Sequence, residues 1–554
     1  MQFNYNYATP STLAAVGGTT VLAFSADRNR KEVVSFKGRL KNVLNYRDAM
    51  LCLRDVVVSD LRTPVKDRTE YLKWAEKEVA RLATESLLNQ KAIREAVSAE
   101  IEKLESEKSL LDAEWKETWK DYYPLERPFW KFIQGLDRDL WMVLDPVISV
   151  HPDTVSFEAF SKDESTYACL SVDMGQFDRL QEPQYGTTNI DFSKRLGDEF
   201  LRVRTYNPFE LSIDPAGFTL ESGTRPQYLE KKIDLPESWV RGFLQVSSAA
   251  AIPGIEFALN PVDMYLICSY LRRKNARWSP RALRFELRPN MRVRAIFEPW
   301  EEAIELSAVF SGPEPVVVRT WGRRRLFLLE RLLPLANRFR VRLLGQGLPA
   351  FYIAELPGMT LTLGLSGWVA KDWSGGAVFN AMSGFVGEGF NPALVDALRT
   401  ARSLTMTEMQ ERVPNSPQTE IMATVGNLFR HGLAFYDAAK GRIRYRMLSQ
   451  QPFPSHLTEP SPVEKEALAL AKNLKEVKIK VNPDKSILAQ AQSVKDRRKS
   501  LALELKLNGD GIVTDANCQC RQFQREKLAG GPCEHLLGLQ FRVLGIVKPP
   551  AQGS

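Results

Sequence analysis

The residues best equipped for chemistry lie near the end of the chain, where Cys518-x-Cys520 is followed after twelve residues by Cys533-x-His535. Three thiols and an imidazole are soft donors. Two tight pairs, the second set up by the Gly530-Gly531-Pro532 turn, can close a tetrahedral shell around Zn2+. Four protein ligands leave no open coordination position, so the pattern points to one structural zinc and away from a catalytic one. Incidental thiols in a loop are the alternative, but two such pairs seldom coincide. Because Cys-x-Cys is tighter than the common two-strand, one-helix finger, another frame must hold the ligands.

The flanking sequence supplies such a frame. Ser500 to Leu507 alternates Leu501, Leu503, Leu505 and Leu507 with Ala502, Glu504 and Lys506, and Asn508-Gly509-Asp510-Gly511 is a strong hairpin turn. Ile512 to Thr514 reads as the returning strand and Leu536 to Leu544 as an apolar helix. The pattern C-x-C-x(n)-C-x-H in this setting resembles the SWIM zinc finger, a module of some remodelling-type ATPases, plant transposases and many bacterial proteins. That resemblance implies two strands before the first pair and a helix after the last ligand.

A second set of candidates is cationic. The net charge of +8 is unevenly placed: Arg272 to Arg342 holds 17 Lys and Arg against 7 Asp and Glu, a local excess of +10, so a polyanion would be expected to meet the chain there. Within it, TWGRRRLFLLERLLPLANRFRVRLLG predicts a helix from Arg323 to about Ala336, then a strand with Arg338, Arg340 and Arg342 on its polar side. Three cations at the positive end of a helix dipole are unfavourable unless an anion sits there. Arg323, Arg324 and Arg325 are therefore candidates for phosphate or carboxylate contact, with internal pairing to Glu298, Glu301 or Glu302 as the alternative.

From Asn391 onward, a helix over Pro392 to Arg402, a capping box at Thr405-x-x-Glu408, a third helix opened by Ser416-Pro417 and a hairpin around Asp437 to Gly441 follow one another. Three helices and a hairpin in that order resemble a winged helix-turn-helix, whose third helix enters the major groove. Alternation sets Arg442, Arg444 and Arg446 on one side of the wing, as a phosphate-facing strand requires. On the third helix Gln418, Thr419, Thr424, Asn427 and Arg430 are the expected exposed residues, but Glu420 offsets the only arginine. Docking to DNA or RNA and docking to protein both stay open.

Around these candidates the 554 residues exceed one hydrophobic core. The expected fold is α+β and multidomain. Residues 1–62 read as β-rich, through the runs Thr20–Ala26, Glu32–Gly38 and Ala49–Val58. Residues 65–121, free of Gly and Pro, read as one long helix or a helical hairpin that could carry homo-oligomerisation. A mixed body follows at 122–390, then the winged-helix-like stretch 391–449, a proline-rich linker 450–462, and the zinc module 463–548, opening with a helix over Val463–Lys480. No run of about twenty apolar residues and no signal peptide is visible, so the expectation is a cytoplasmic chain without a membrane partner. Cys52, Cys169 and Cys268, in apolar contexts, are expected as buried reduced thiols.

Segments such as TYACLSVDMGQFDRL, KKIDLPESWVRGFLQVSSA and MTLTLGLSGWVAKDWS are similar to the body of bacterial SWIM proteins encoded beside a MoxR-type AAA+ ATPase and a von Willebrand factor A protein. The resemblance, from about residue 140 to the end, implies a non-catalytic partner of such a system. Consistent with that, the chain has no G-x-x-x-x-G-K-[ST] and no H-E-x-x-H, and Gly364-Leu365-Ser366-Gly367 has the wrong spacing for a nucleophile elbow. The expected function is a zinc-binding adaptor for nucleic acid, protein or both. The alternatives are a hydrolytic or nuclease-like enzyme with a site in 140–390, and an oligomer organised by 65–121.

Overall fold

The protein is represented by a computed structural model that describes residues 11–543 except 17, 28–31, 61–145, 191–199, 202, 205, 216–236, 277–281, 346–348, 367–372, 374–389, 455–461, 483–486, 497–498, 508–512 and 527–532. The helix expected over 65–121 lies outside the described residues, as does most of the glycine-rich stretch Ser366–Phe390.

The core is organised by an eight-stranded antiparallel sheet in the order Ile255–Leu259, Arg338–Leu343, Ala350–Leu356, Met359–Leu365, Thr166–Asp173, Thr154–Phe160, Val147–Val150, Gly186–Asn189. Its central strands are buried on both faces. Phe157, Leu170 and Val172 belong to one hydrophobic cluster, whereas Phe160, Tyr167 and Cys169, the alternate residues, belong to another. Helix Val43–Val58 contributes to the first cluster and helix Glu237–Ala251, through Trp239, Val240, Phe243 and Leu244, to the second.

The run Ala49–Val58, expected as a strand, is the second half of that first helix. Asn42 caps it by accepting from the Asn45 amide. Tyr46, Met50, Leu51, Leu53, Val56 and Val57 bury it nearly all round, and an all-round apolar run carries no period that separates helix from strand.

A five-stranded sheet runs Thr12–Val16, Thr19–Ser25, Phe209–Asp214, Phe36–Leu40, Phe177–Arg179, with Thr19–Ser25 parallel to Phe209–Asp214. A four-stranded antiparallel sheet follows the order Glu302–Val309, Arg292–Phe297, Leu283–Leu287, Val316–Thr320. The segment from Arg323 is helical as expected, but it is a 3-10 helix over Arg323–Leu332, opened by Gly322 at φ 76°.

After residue 390 come helices Pro392–Ala401, Met406–Arg412 and Gln418–Arg430, with the Thr405/Glu408 capping box formed as the sequence predicts. A three-stranded sheet in the order Ser403–Leu404, Arg442–Tyr445, Ala434–Asp437 joins them. The last module holds four antiparallel strands, Lys475–Val481, Ile487–Asp496, Lys499–Leu507 and Val513–Cys518, and two packed helices, Pro462–Asn473 and Glu534–Val543. The helix expected over Val463–Lys480 thus stops at Asn473. Beyond it Val477, Ile479 and Val481 recur every second residue, and β-branched alternation favours a strand.

No helix among the described residues is long and apolar enough to cross a membrane.

Candidate metal centre

Cys518 ends the fourth strand of the C-terminal sheet, opposite Leu503. Cys520 immediately precedes helix Arg521–Glu526, Cys533 immediately precedes helix Glu534–Val543, and His535 lies in the first turn of that helix. Alternating leucines on Lys499–Leu507 bury one face of the sheet against the second helix, so the hairpin and the helix bring the two cysteine pairs together. One ligand atom from each of Cys518, Cys520, Cys533 and His535 lies within 4.8 Å of the other three. A tetrahedral zinc with sulfur at about 2.3 Å has edges of about 3.8 Å. The four groups need to close by no more than about an ångström on a zinc ion of that geometry.

The surroundings suit thiolates. The Cys520 amide donates to Cys518 Sγ at 3.4 Å and the Phe523 amide donates to Cys520 Sγ at 3.3 Å. Cys520 and Cys533 both stand at helix N-termini, where positive dipole ends favour a thiolate. Without a cation the protons stay on. A hydrogen bond with the Cys518 thiol, then burial, pushes the Cys533 thiol well above its ordinary value, and burial raises Cys520. A metal ion is the charge that would reverse this.

The His535 ring is buried beside the Cys533 thiol, and among the described residues neither of its nitrogens has a hydrogen-bond partner of ordinary geometry. Glu534 Oε1 lies 3.4 Å from Nδ1, the position from which a carboxylate orients a metal-bound imidazole. A buried imidazole beside three converging thiols fits a metal. The other cysteines are different: Cys52, Cys169 and Cys268 are free and buried, with burial raising Cys268 to about 12 and the other two higher still.

The arginines tell a separate story. Arg323 is buried, donates to the carbonyls of Ala282 and Glu298, and stacks over Trp300. Arg325 is buried with Asp163 at 3.4 Å, and Arg324 donates to Asn275 Oδ1 at 3.0 Å. The expected anion site therefore does not form from Arg323 and Arg325: they are spent on internal partners, and Arg324 alone of the three is exposed. The same holds for much of the basic stretch. Arg284 and Arg319 converge on the buried Glu298, Arg294 on Glu286, and Arg338 and Arg340 on Glu355.

Two of the three arginines expected on a wing also face inward. Arg444 and Arg446 are 0% exposed. Arg444 grips Asp153 through both terminal nitrogens, at 2.7 and 3.0 Å, and donates to Asp437 at 2.8 Å through Nε. Arg446 pairs with Glu158 at 2.7 Å between the rings of Phe243 and Phe435. Arg442 donates to Glu408 at 2.8 Å. The side expected to meet phosphate is the side packed on the large sheet. Thr424, expected on the exposed face of the third helix, is fully buried and donates to the Glu420 carbonyl. These counter-charges lie up to 291 residues away in sequence, so no local pattern could have revealed them.

No protein-family model matches this chain, and no curated protein does. Among solved structures, it is similar to the proliferating cellular nuclear antigen of Entamoeba histolytica at 11% identity and a TM-score of 0.29, over 41% of this chain and 91% of that one. A likeness that slight carries no argument about function.

Proposed function

We propose that the chain is a non-enzymatic adaptor whose C-terminal module, residues 463–548, is a SWIM-type zinc finger built for recognising a protein partner. The observation that carries this reading is the convergence of four protein donors within 4.8 Å, a closed set that leaves a metal no position for substrate. A protein partner is preferred over DNA or RNA because the arginines that looked poised for phosphate are committed to internal carboxylates and carbonyls. The stretch 391–449 has the element order of a winged helix, and with its third helix buried it acts as a packing element of the body. The sequence resemblance makes a MoxR-type AAA+ ATPase and a von Willebrand factor A protein the first partners to try.

Elemental analysis of the full-length protein should find one zinc per chain. Cys533→Ser should lose it and expose the C-terminal segment to proteolysis while the rest stays folded, since metal binding and folding are coupled in small metal modules. Full zinc stoichiometry in Cys533→Ser would overturn the assignment.

A further inference from the structure

Cys518, Cys520 and Cys533 converge sulfur on sulfur as well as on a metal position. Their Sγ atoms lie within 4.8 Å of one another, and a disulfide needs two sulfurs at about 2.05 Å, so joining one pair takes a shift of less than about 3 Å. The three are not equally placed. Cys520 is 9% exposed, against 0% for Cys518 and 1% for Cys533, so an oxidant arriving from solvent meets Cys520 first. The remaining thiols are buried elsewhere: Cys52 donates to the Leu328 carbonyl at 3.0 Å, Cys268 to the Leu326 carbonyl at 3.7 Å, and Cys169 lies 3.6 Å from Ser171 Oγ.

Spacing selects the partner of Cys520. A single residue separates it from Cys518, and a disulfide across so short a span is strained. Twelve residues separate it from Cys533, and Gly530-Gly531 among them gives the backbone the freedom to carry Cys533 the remaining distance. A metal holds its sulfur ligands as thiolates, which is the form that attacks an oxidant.

Loss of these two sulfurs leaves Cys518 and His535, two donors where a structural zinc takes four. The effect does not stop at the metal. All three cysteines belong to the buried core of the C-terminal module, together with Leu503, Leu505, Leu536 and Leu539. Helix Glu534–Val543, which carries His535, packs on helix Pro462–Asn473. A change at the metal centre therefore reaches the packing of both helices, because metal binding and folding are coupled in modules of this size.

We propose that Cys520 and Cys533 form a peroxide-responsive switch: a hydroperoxide oxidises the pair to a disulfide, the zinc leaves, and the C-terminal module loosens until a thiol reductant restores it. This rests on the zinc-adaptor reading and adds its regulation. The Cys520 thiolate attacks the terminal peroxide oxygen, the O–O bond breaks, and the other oxygen departs as water or an alcohol, leaving a sulfenic acid on Cys520. The Cys533 sulfur then attacks the Cys520 sulfur, the S–O bond breaks, and the second oxygen leaves as water. Two thiolates give up two electrons, the peroxide takes them, and solvent supplies two protons. Hydrogen peroxide added to the full-length, zinc-loaded protein tests this, with released zinc followed by a chromogenic chelator against a peroxide-free control and the cysteines mapped by peptide mass spectrometry on the same samples. Bound zinc should fall from about one per chain to near none in step with a Cys520–Cys533 link, while Cys52, Cys169 and Cys268 stay reduced. Dithiothreitol with added Zn2+ should then restore the metal. Zinc retained while the buried thiols oxidise, release without that link, or cysteines driven to sulfinic acid beyond rescue would each overturn the proposal. A zinc-loaded parent protein indifferent to peroxide sinks the switch alone, whereas a zinc-free parent protein sinks the adaptor reading beneath it.

Discussion

His151 shows what a single buried ring does for this molecule. Its Nε2 donates to the Tyr445 carbonyl at 2.9 Å, tying the turn before Thr154 to the strand Arg442–Tyr445. Burial, then the neighbouring Arg444, lowers its pKa from 6.5 to about 3, so the folded ring is neutral. Between those two values the unfolded chain binds a proton that the native state refuses. Stability is therefore full above about pH 6.5 and falls as pH drops through that window, by up to about 1.4 kcal/mol per pH unit. His151→Gln should flatten the pH dependence of the urea midpoint between pH 6.5 and 4.5. An unchanged slope would show that other groups carry the acid sensitivity. Nearby, Arg446 and Glu158 are both essentially inaccessible. An isolated buried charge is far costlier than a paired one, so the two side chains hold their elements in register as a unit.

At the scale of elements, the C-terminal module depends on the close approach of its two helices. A Cβ on Gly538 would lie 2.8 Å from the Ala467 carbonyl oxygen, on the backbone of the facing helix Pro462–Asn473. Backbone cannot swing aside as a flexible side chain can, so Gly538→Leu should force the helices apart and cost on the order of 1–3 kcal/mol. Because His535 lies on the same helix, zinc affinity should fall with it. Competition against a chromogenic chelator reads the change, and wild-type affinity would show that helix spacing and metal geometry are independent. The leucines at 501, 503, 505 and 507 and the Thr405/Glu408 capping box were legible in the sequence because each is a local pattern with one physical reading. The helix over Ala49–Val58 was not, since a run buried all round has no polar side to mark its period. The wing arginines lie between these cases. Their shared side was legible, but whether it faced water or protein depended on Asp153, Asp437 and Glu158, the first and last of them distant in sequence.

Across the whole molecule, two parts differ in self-sufficiency. Among the described residues, the core of the C-terminal module, from Leu474 to Leu539, draws on residues of that module alone. By contrast, Phe435, Ala438 and Leu448 of the hairpin region belong to the same cluster as Trp239 and Phe351 of the body. A fragment of residues 450–554 should therefore fold cooperatively with zinc and unfold on chelation. Residues 391–449 have a core of their own around Leu398, Ile421 and Phe429, but cut from the body they lose Asp153 and Glu158, the partners of buried Arg444 and Arg446, so the isolated fragment should be markedly less stable to urea than the same stretch in the intact chain; equal midpoints would contradict this.

The parallel pairing of Thr19–Ser25 with Phe209–Asp214 bears on how the chain is made. During synthesis the early strand must wait for nearly two hundred further residues before its neighbour leaves the ribosome, and helix Val43–Val58 waits longer still for its contact with Arg323–Leu332. Until then Leu22, Phe24, Met50 and Leu53 have no complete core to enter. Contacts so far apart in sequence form slowly and leave apolar surface open to misassociation. Translation of this protein thus passes through a long interval in which the apolar side chains of Thr19–Ser25 and Val43–Val58 lack the partners that bury them in the finished fold.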